Sequence, residues 1–205
     1  MIKNVVFDLG FVLISFDWRE IMTNVGITED EMEEIATATV RSEYWGELDR
    51  GVLTDEEILN GFISLAPQHK EKITKFFAAV PHNMPPYAYS NEWVASVKER
   101  GYNLYVLSNF SKNNFIACEP KYTFLEQFDG KIISYRYKCI KPEKEIYQIL
   151  FDSFDLKPEE CVFIDDREDN IEGAINQGMN GIVFRSYEQA SSDLDKLLKE
   201  KGIHG

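Results

Sequence analysis

The chain has 205 residues, of which 44% are hydrophobic, and this is enough to bury a packed core and argues against disorder. The 35 acidic residues outnumber the 22 basic ones, and the formal net charge of −13 disfavours nucleic acids and anionic membranes as partners. An anionic substrate would need a local cation to counter this charge.

The cysteines are few and far apart, at positions 118, 139 and 161, and they form no C-x-x-C pair. Such a set predicts reduced, buried thiols in a cytosolic protein. The first apolar run is interrupted by Asp8 and lacks the basic flank of a signal peptide, and no run is long enough to span a bilayer. We therefore expect a cytoplasmic protein, a monomer or a homodimer, that binds neither membrane nor nucleic acid.

The first predicted strand covers residues 3–8, a valine-rich run typical of a strand buried on both faces. The next comparable run begins only at residue 103. Between them the sequence predicts short helices, at about 18–25, 29–40, 54–65 and 69–79. Thr28 with Glu31, and Thr54 with Glu57, have the spacing of capping boxes at two helix starts.

Beyond the prolines at positions 81, 85 and 86, predicted strands and helices alternate. The strands are 103–108, 131–134, 161–165 and 181–184, and the helices are 90–100, 143–152, 169–177 and 187–201. This alternation predicts an α/β fold with a doubly wound parallel sheet. We assign residues 1–15 and 83–205 to that core domain and residues 16–82 to a small α-helical domain inserted after the first strand.

Polar groups follow the predicted strands where they end, namely Asp8, Ser108-Asn109, Lys141-Pro142 and Asp165-Asp166. Each group alone is typical of a helix cap, a turn or a solvated surface position. Ligands of open parallel sheets bind at the carboxyl ends of the strands, so the joint placement predicts one site. The inserted helices leave from the same edge and are placed to cover it.

The three aspartates of this predicted site would repel one another by roughly 4 kcal/mol per pair at ~4 Å in an intermediate dielectric. Such a cluster needs a bound cation or raised pKa values. Oxygen ligands with no histidine or cysteine nearby in sequence favour Mg²⁺. The alternative is an acidic turn that holds no metal.

Four segments resemble, in order and spacing, the motifs of the haloacid dehalogenase-like (HAD) superfamily. They are Asp8-Leu9-Gly10-Phe11-Val12, Leu107-Ser108-Asn109, Lys141-Pro142-Glu143 and the run from Phe163 to Ala174. The resemblance covers essentially the whole chain, and the position of the insertion matches a subfamily I cap. Within the superfamily, the first and last segments are most similar to those of bacterial α-D-glucose 1-phosphate phosphatases.

The resemblance implies a Rossmann-like fold and a role for each matching residue. Asp8 would attack the phosphoryl group and become a transient aspartyl-phosphate. Ser108 and the backbone amide of Asn109 would bind the phosphoryl oxygens, and Lys141 would neutralise their charge. The Mg²⁺ ligands would be Asp8, the backbone carbonyl of Gly10, Asp165 and Asp166.

Gly10 departs from the usual pattern of these phosphatases, which carry a second aspartate two positions after the nucleophile. That aspartate protonates the leaving alcohol and then activates water, a contribution typically worth about 10²- to 10⁴-fold. Another group would have to substitute, or the substrate would need a good leaving group, as in a sugar 1-phosphate. Asp17 is one candidate substitute, and its alternative role is the N-cap of the first inserted helix.

The segment from Ser42 to Gly51 combines aromatic and charged side chains in the predicted insertion. Trp45 is a candidate to stack on a sugar ring, and Arg50 or Glu47 to reach hydroxyls or phosphate. Packing of Trp45 and Tyr44 between helices is the alternative.

The sequence therefore predicts an Mg²⁺-dependent phosphatase for a small phosphorylated metabolite, with a sugar phosphate such as glucose 1-phosphate as the expected substrate. A 2-haloacid dehalogenase is one alternative, but that site uses no metal and gains nothing from Asp165 and Asp166. A catalytically inactive binding protein of the same fold is the other, and Gly10 is its only support.

Overall fold

Five parallel strands form one sheet in the computed structural model, which describes residues 1–203. The strands are β1 (Asn4–Phe7), β2 (Asn103–Ser108), β3 (Gly130–Ile133), β4 (Cys161–Asp165) and β5 (Asn180–Val183), and their order in the sheet is β3-β2-β1-β4-β5. Central β1 pairs with β2 on one side and β4 on the other, so that Val5 lies opposite both Leu104 and Val162. The predicted doubly wound α/β fold is confirmed.

Among residues 1–203, five α-helices lie within residues 16–82 and six lie beyond them. The first group is α1 (Trp18–Asn24), α2 (Glu29–Ala38), α3 (Glu43–Arg50), α4 (Asp55–Leu65) and α5 (Lys70–Ala79). The second group is α6 (Ser90–Glu99), α7 (Lys112–Cys118), α8 (Ser134–Tyr137), α9 (Lys144–Phe154), α10 (Glu168–Asn176) and α11 (Tyr187–Lys201). All five strands of the described residues lie outside residues 16–82, which we call the insertion.

The sequence prediction missed α3, α7 and α8, all of them short. α3 has Gly46 in its middle and only one fully buried residue, Leu48, which weakens its apolar stripe. It ends at Gly51, which has φ +70° and closes the helix in the left-handed conformation that glycine favours. The capping boxes predicted at Thr28 and Thr54 are both present, at the starts of α2 and α4.

Both faces of the sheet are covered by helices, which explains why β1 has no polar face. Val6 points into a cluster with residues of α9 and α10, whereas Val5 and Phe7 point into a larger cluster on the other face. That larger cluster continues into the insertion, where it includes Ile35 and Phe62. The insertion therefore packs directly on the sheet's hydrophobic core. Among residues 1–203, no helix combines the length and apolar character needed to cross a bilayer.

Candidate active site

Neighbouring strands β1 and β4 bring three carboxylates together at one edge of the sheet. Asp8 directly follows β1, and Asp165 and Asp166 come from the end of β4. One oxygen from each of these side chains lies within 4.8 Å of the other two. The structure thus places the three predicted acidic residues in one group that can hold a metal ion.

Lys141 is buried between two of these carboxylates. Its Nζ lies 2.9 Å from Asp8 Oδ1 and 2.6 Å from Asp165 Oδ2, and it donates a third hydrogen bond to the Leu107 carbonyl at 3.0 Å. Burial by itself lowers the pKa of Lys141, but the two carboxylates outweigh it and raise the pKa above its ordinary value. Lys141 is therefore held as a cation within the acidic group.

One lysine does not balance the negative charge of three aspartates. Burial raises the pKa of Asp8 to about 7, with Lys141 opposing and Asp165 and Asp166 adding to the shift. Burial and the neighbouring Asp165 raise the pKa of Asp166 to about 6. A group of oxygen donors with this excess of negative charge fits a hard divalent cation.

Asp165 and Asp166 are used differently. The Asp165 carboxylate accepts hydrogen bonds from Lys141 Nζ, from the Arg167 amide at 2.8 Å and from Asn170 Nδ2 at 3.0 Å. Among the described residues, no other residue donates a hydrogen bond to the Asp166 side chain, which faces the cavity beside Asp8. Asp166 is thus the more available of the two for a metal ion, whereas Asp165 holds Lys141 and Asn170.

Ser108 and Asn109 lie at the end of β2, next to Asp8. The Ser108 hydroxyl oxygen is buried and has no hydrogen-bond partner among the described residues. The Asn109 side chain accepts a hydrogen bond from the Lys141 amide at 2.8 Å and donates one to the Lys141 carbonyl at 3.1 Å. Asn109 therefore positions the Lys141 loop, and Ser108 retains a free donor for a ligand.

Gly10 and Phe11 line the mouth of the same site. A Cβ added at Gly10 would meet nothing within 4 Å, so crowding does not require glycine there. No hydrogen bond from the described residues reaches the Gly10 carbonyl. Phe11 has φ +59° and is 42% exposed, so a large apolar side chain is held at the entrance by an uncommon backbone conformation.

A cavity of about 300 Å³ opens onto these groups. Asp8, Asn109, Lys141 and Asp166 form part of its floor. Much of its wall is apolar, formed by side chains at positions 11, 16, 18, 40, 45, 84 and 110. The volume suits a small organic molecule.

Two residues predicted to bind the substrate have other contacts. The Trp45 ring lines the cavity but stacks between Phe16 and Phe62, at centroid distances of 5.3 and 6.1 Å, as the packing alternative anticipated. Arg50 does not line the cavity, because its guanidinium binds Glu143 and Glu47. The structure therefore does not support the expectation that Arg50 contacts substrate.

Asp17 lies elsewhere as well. Its side chain accepts a hydrogen bond from the Glu20 amide at 3.0 Å and caps α1. It lines a separate surface depression and not the cavity above Asp8. Asp17 is therefore the N-cap of α1, as the alternative prediction states, and its position does not support a role in acid–base catalysis.

Sequence reasoning missed several residues that line the cavity, notably Asp49, Arg41, Arg167 and Asn170. Asp49 is four residues after Trp45, and this helical spacing puts the two on one face of α3. That spacing was a usable signal, but only if α3 had been predicted as a helix.

Comparison with known proteins identifies relatives over the full length of the chain. It is 24% identical over 196 residues to the sesquiterpene phosphatase astK of Aspergillus oryzae, covering 96% of each chain. It is 25% identical over 186 residues to D-ribitol-5-phosphate phosphatase of Bacteroides thetaiotaomicron, covering 83% of this chain and 86% of that one. It also matches drimenol cyclase drtB of Aspergillus calidoustus at 23% identity, but spans only 38% of that protein.

Solved structures show the same fold. A HAD family enzyme of Bacteroides thetaiotaomicron, bt-2542, in complex with magnesium and inorganic phosphate superposes with a TM-score of 0.69 at 25% identity, covering 91% of this chain and 96% of that one. The profile of the haloacid dehalogenase-like hydrolases matches residues 2–178. With its parallel sheet and its acidic group at the ends of β1 and β4, the chain belongs to the family of haloacid dehalogenase-like hydrolases.

Proposed function

We propose that the protein is an Mg²⁺-dependent phosphatase that hydrolyses a small phosphorylated metabolite through an aspartyl-phosphate on Asp8. The observation that carries this proposal is the group formed by Asp8, Asp165 and Asp166 around buried Lys141. A nucleophilic carboxylate beside a fixed cation, with spare oxygen donors, meets the electrostatic needs of phosphoryl transfer.

In the first half-reaction, an Asp8 oxygen attacks phosphorus while the bond to the leaving alcohol breaks. Lys141 favours the anionic form of Asp8 against the effect of burial and balances the incoming phosphate charge, and the Ser108 hydroxyl donates to a phosphoryl oxygen. In the second half-reaction, water attacks the aspartyl-phosphate and frees Asp8 and inorganic phosphate. Both steps need charge stabilisation more than covalent chemistry.

The Mg²⁺ ligands in this proposal are the Asp8 and Asp166 carboxylates and the Gly10 carbonyl, with Asp165 fixing the group from behind. Mg²⁺ bound there would supply positive charge to the transferring phosphoryl group. A cation held by these residues would also favour ionised Asp8, whose pKa is raised by burial.

The candidate substrates fall into two classes, sugar phosphates and phosphate esters of an apolar alcohol. The sequence motifs favour a sugar phosphate such as glucose 1-phosphate, in line with the name of the ribitol-phosphate relative. The aromatic wall, with Phe16 and Trp45 stacked and Phe11 at the entrance, favours an ester whose alcohol is apolar, in line with the name of astK. Of the two classes, we favour phosphate esters with an apolar alcohol, because the aromatic cavity wall is observed in this chain itself.

The test is a panel of phosphate esters that includes glucose 1-phosphate, ribitol 5-phosphate, benzyl phosphate and farnesyl phosphate. We expect phosphate release with Mg²⁺, none with EDTA, and a larger kcat/KM for the apolar esters. Asp8→Asn should abolish turnover and the acid-stable phosphoenzyme. Turnover that survives Asp8→Asn would refute the nucleophile assignment.

Two other outcomes would identify the alternative functions of this fold. Chloride release from 2-chloropropionate in EDTA would identify a dehalogenase instead. Folded protein that hydrolyses no ester and traps no phosphoenzyme would favour a binding protein.

A further inference from the structure

Asp49 of α3 lies in the cavity with the catalytic group of the proposed function. It lines the same space as Asp8 and Lys141, although it comes from the insertion and they come from the sheet. Asp49 is outside the three carboxylates that lie within 4.8 Å of one another. It is therefore a carboxyl group that faces the reaction space and is not needed to hold the metal.

Three successive residues at the end of α3 fix the backbone that carries this carboxyl group. The Asp49 backbone carbonyl accepts a hydrogen bond from Ser134 Oγ at 2.6 Å, Arg50 binds Glu143 through Nη1 and Nη2, and the Gly51 backbone carbonyl accepts a hydrogen bond from Lys138 Nζ. All three partners lie between residues 134 and 143, next to the Lys141 loop. The end of α3 is thus attached to the segment that positions Lys141.

The surroundings of Asp49 suit proton transfer near neutral pH. Burial, followed by the charge of Asp8, raises the pKa of Asp49 to about 7, with Lys141 and the Ser111 amide opposing the shift. The other charged groups that face this cavity are Arg41 of the insertion and Asp166 and Arg167 after β4. A carboxyl group in this range exchanges protons without a large energetic cost.

No side chain at residue 10 can act as the expected general acid and base of phosphate ester hydrolysis, although there is space for one there. Gly10 has no side chain, and a Cβ there would meet nothing within 4 Å. Asp17 caps α1 outside the cavity, and Asp165 already binds Lys141 and Asn170. Asp49 is the carboxyl group that remains on the cavity wall once the nucleophile and the metal ligands are assigned.

We propose that Asp49 is the general acid and base of this enzyme, supplied by the insertion in place of a side chain at residue 10. The inference rests on the proposed phosphatase function and names the residue that moves the proton.

The two half-reactions balance with Asp49 as the proton carrier. First, Asp8 forms a bond to phosphorus, the bond from phosphorus to the alcohol oxygen breaks, and protonated Asp49 gives its proton to that oxygen. Then the Asp49 carboxylate takes a proton from water as the water oxygen bonds to phosphorus, and the bond to Asp8 breaks. Phosphate leaves, and both aspartates return to their starting states.

The experiment compares two esters of similar shape. Nitrophenolate leaves p-nitrophenyl phosphate without protonation, whereas benzyl alcohol leaves benzyl phosphate only with a proton. We expect Asp49→Asn to lower turnover of benzyl phosphate by about 10²- to 10⁴-fold. With p-nitrophenyl phosphate it should give a burst of one nitrophenolate per enzyme, then slow turnover, because hydrolysis of the phosphoenzyme lacks its base.

Asp17→Asn is the matched control, since Asp17 lies outside the cavity and asparagine also caps helices. It should leave both reactions unchanged. Gly10→Asp added to Asp49→Asn should restore benzyl phosphate turnover at least tenfold, because the space at residue 10 is open. If the Asp49 variants only disturbed packing, they would produce neither the burst nor this rescue. Asp49→Ala should behave as Asp49→Asn does.

Benzyl phosphate turnover that stays within threefold of wild type in both Asp49 variants would overturn the inference and leave the phosphatase intact. Equal loss on both esters with no burst would overturn it as well. A wild-type protein that hydrolyses neither ester and forms no phosphoenzyme would overturn the proposed function, and this inference with it.

Discussion

Arg50 at the end of α3 and Glu143 at the start of α9 form a bidentate ion pair, although they are 93 residues apart in sequence. Arg50 Nη1 donates to Glu143 Oε2 at 2.8 Å, and Nη2 donates to Oε1 at 2.7 Å. Glu143 is two residues after Lys141. The pair therefore ties the helix that carries Asp49 to the loop that carries the buried lysine.

We expect Arg50 and Glu143 to be coupled by about 1 kcal/mol, because the contact is bidentate but its side chains are still 23% and 36% exposed. A double-mutant cycle with Arg50→Gln and Glu143→Gln, followed by urea unfolding, measures this coupling. Arg50→Gln should also lower kcat/KM, since it loosens the end of α3. The exposed pair Lys196 and Asp193 is the control and should show almost no coupling. Equal coupling in the two cycles would contradict the special role of Arg50.

Lys141→Met should destabilise the metal-free protein by about 3–5 kcal/mol at pH 7.5, because it leaves buried Asp8 and Asp165 without their cation. Denaturant unfolding with EDTA measures the loss. Mg²⁺ should then raise the melting temperature of Lys141→Met more than that of wild type, because the ion replaces part of the missing charge. An equal effect of Mg²⁺ on both proteins would argue against a metal site beside Lys141.

The strands and the residues at their ends were predictable because their positions depend on local sequence. Buried parallel strands are short apolar runs, and each observed strand lies within two residues of its prediction at either end. Asp8, Ser108 and Asp165 then come together because the carboxyl ends of parallel strands share an edge, and Lys141 reaches the same edge from the loop between α8 and α9. Their assembly follows from the fold and not from any single motif.

The contribution of the insertion was not predictable in the same way. α3 is too short and too polar to show a clear apolar stripe, and its position depends on partners such as Ser134 and Glu143 that are distant in sequence. Arg50 was expected to contact substrate because an arginine near an aromatic cluster suggests binding. In the structure it forms an ion pair with Glu143 instead. Asp49, one residue earlier, has a helical spacing from Trp45 that is informative only once α3 is known to be a helix.

Two glycines in helices of the insertion should respond oppositely to alanine. A Cβ at Gly61 would lie 2.5 Å from the Tyr44 ring, whereas one at Gly46 would meet only Ile140 Cδ1, at 3.6 Å. Gly61→Ala should therefore destabilise by about 1–3 kcal/mol through overpacking. Gly46→Ala should stabilise by up to about 1 kcal/mol, because alanine is the better helix former. Urea midpoints of the two variants test this, and a shift of the same sign in both would contradict the packing described for α3 and α4.

Glu31 should make the insertion sensitive to acid. Lys72, together with the amide and hydroxyl of Thr28, lowers the pKa of Glu31 from its ordinary 4.5 to about 2. A folded-state pKa below the unfolded one adds stability above about pH 4.5, and this contribution disappears as the pH falls from 4.5 towards 2. The stability difference between wild type and Glu31→Gln should therefore be constant near neutral pH and shrink at pH 3.

Urea unfolding of both proteins at pH 7 and pH 3 measures this change, and the comparison cancels the titration of the active-site aspartates, which both proteins share. Glu29→Gln is the control, because Glu29 lies in the same first turn of α2. A Glu31→Gln difference that is as large at pH 3 as at pH 7 would show that the carboxylate's contacts with Lys72 and Thr28 do not stabilise the fold.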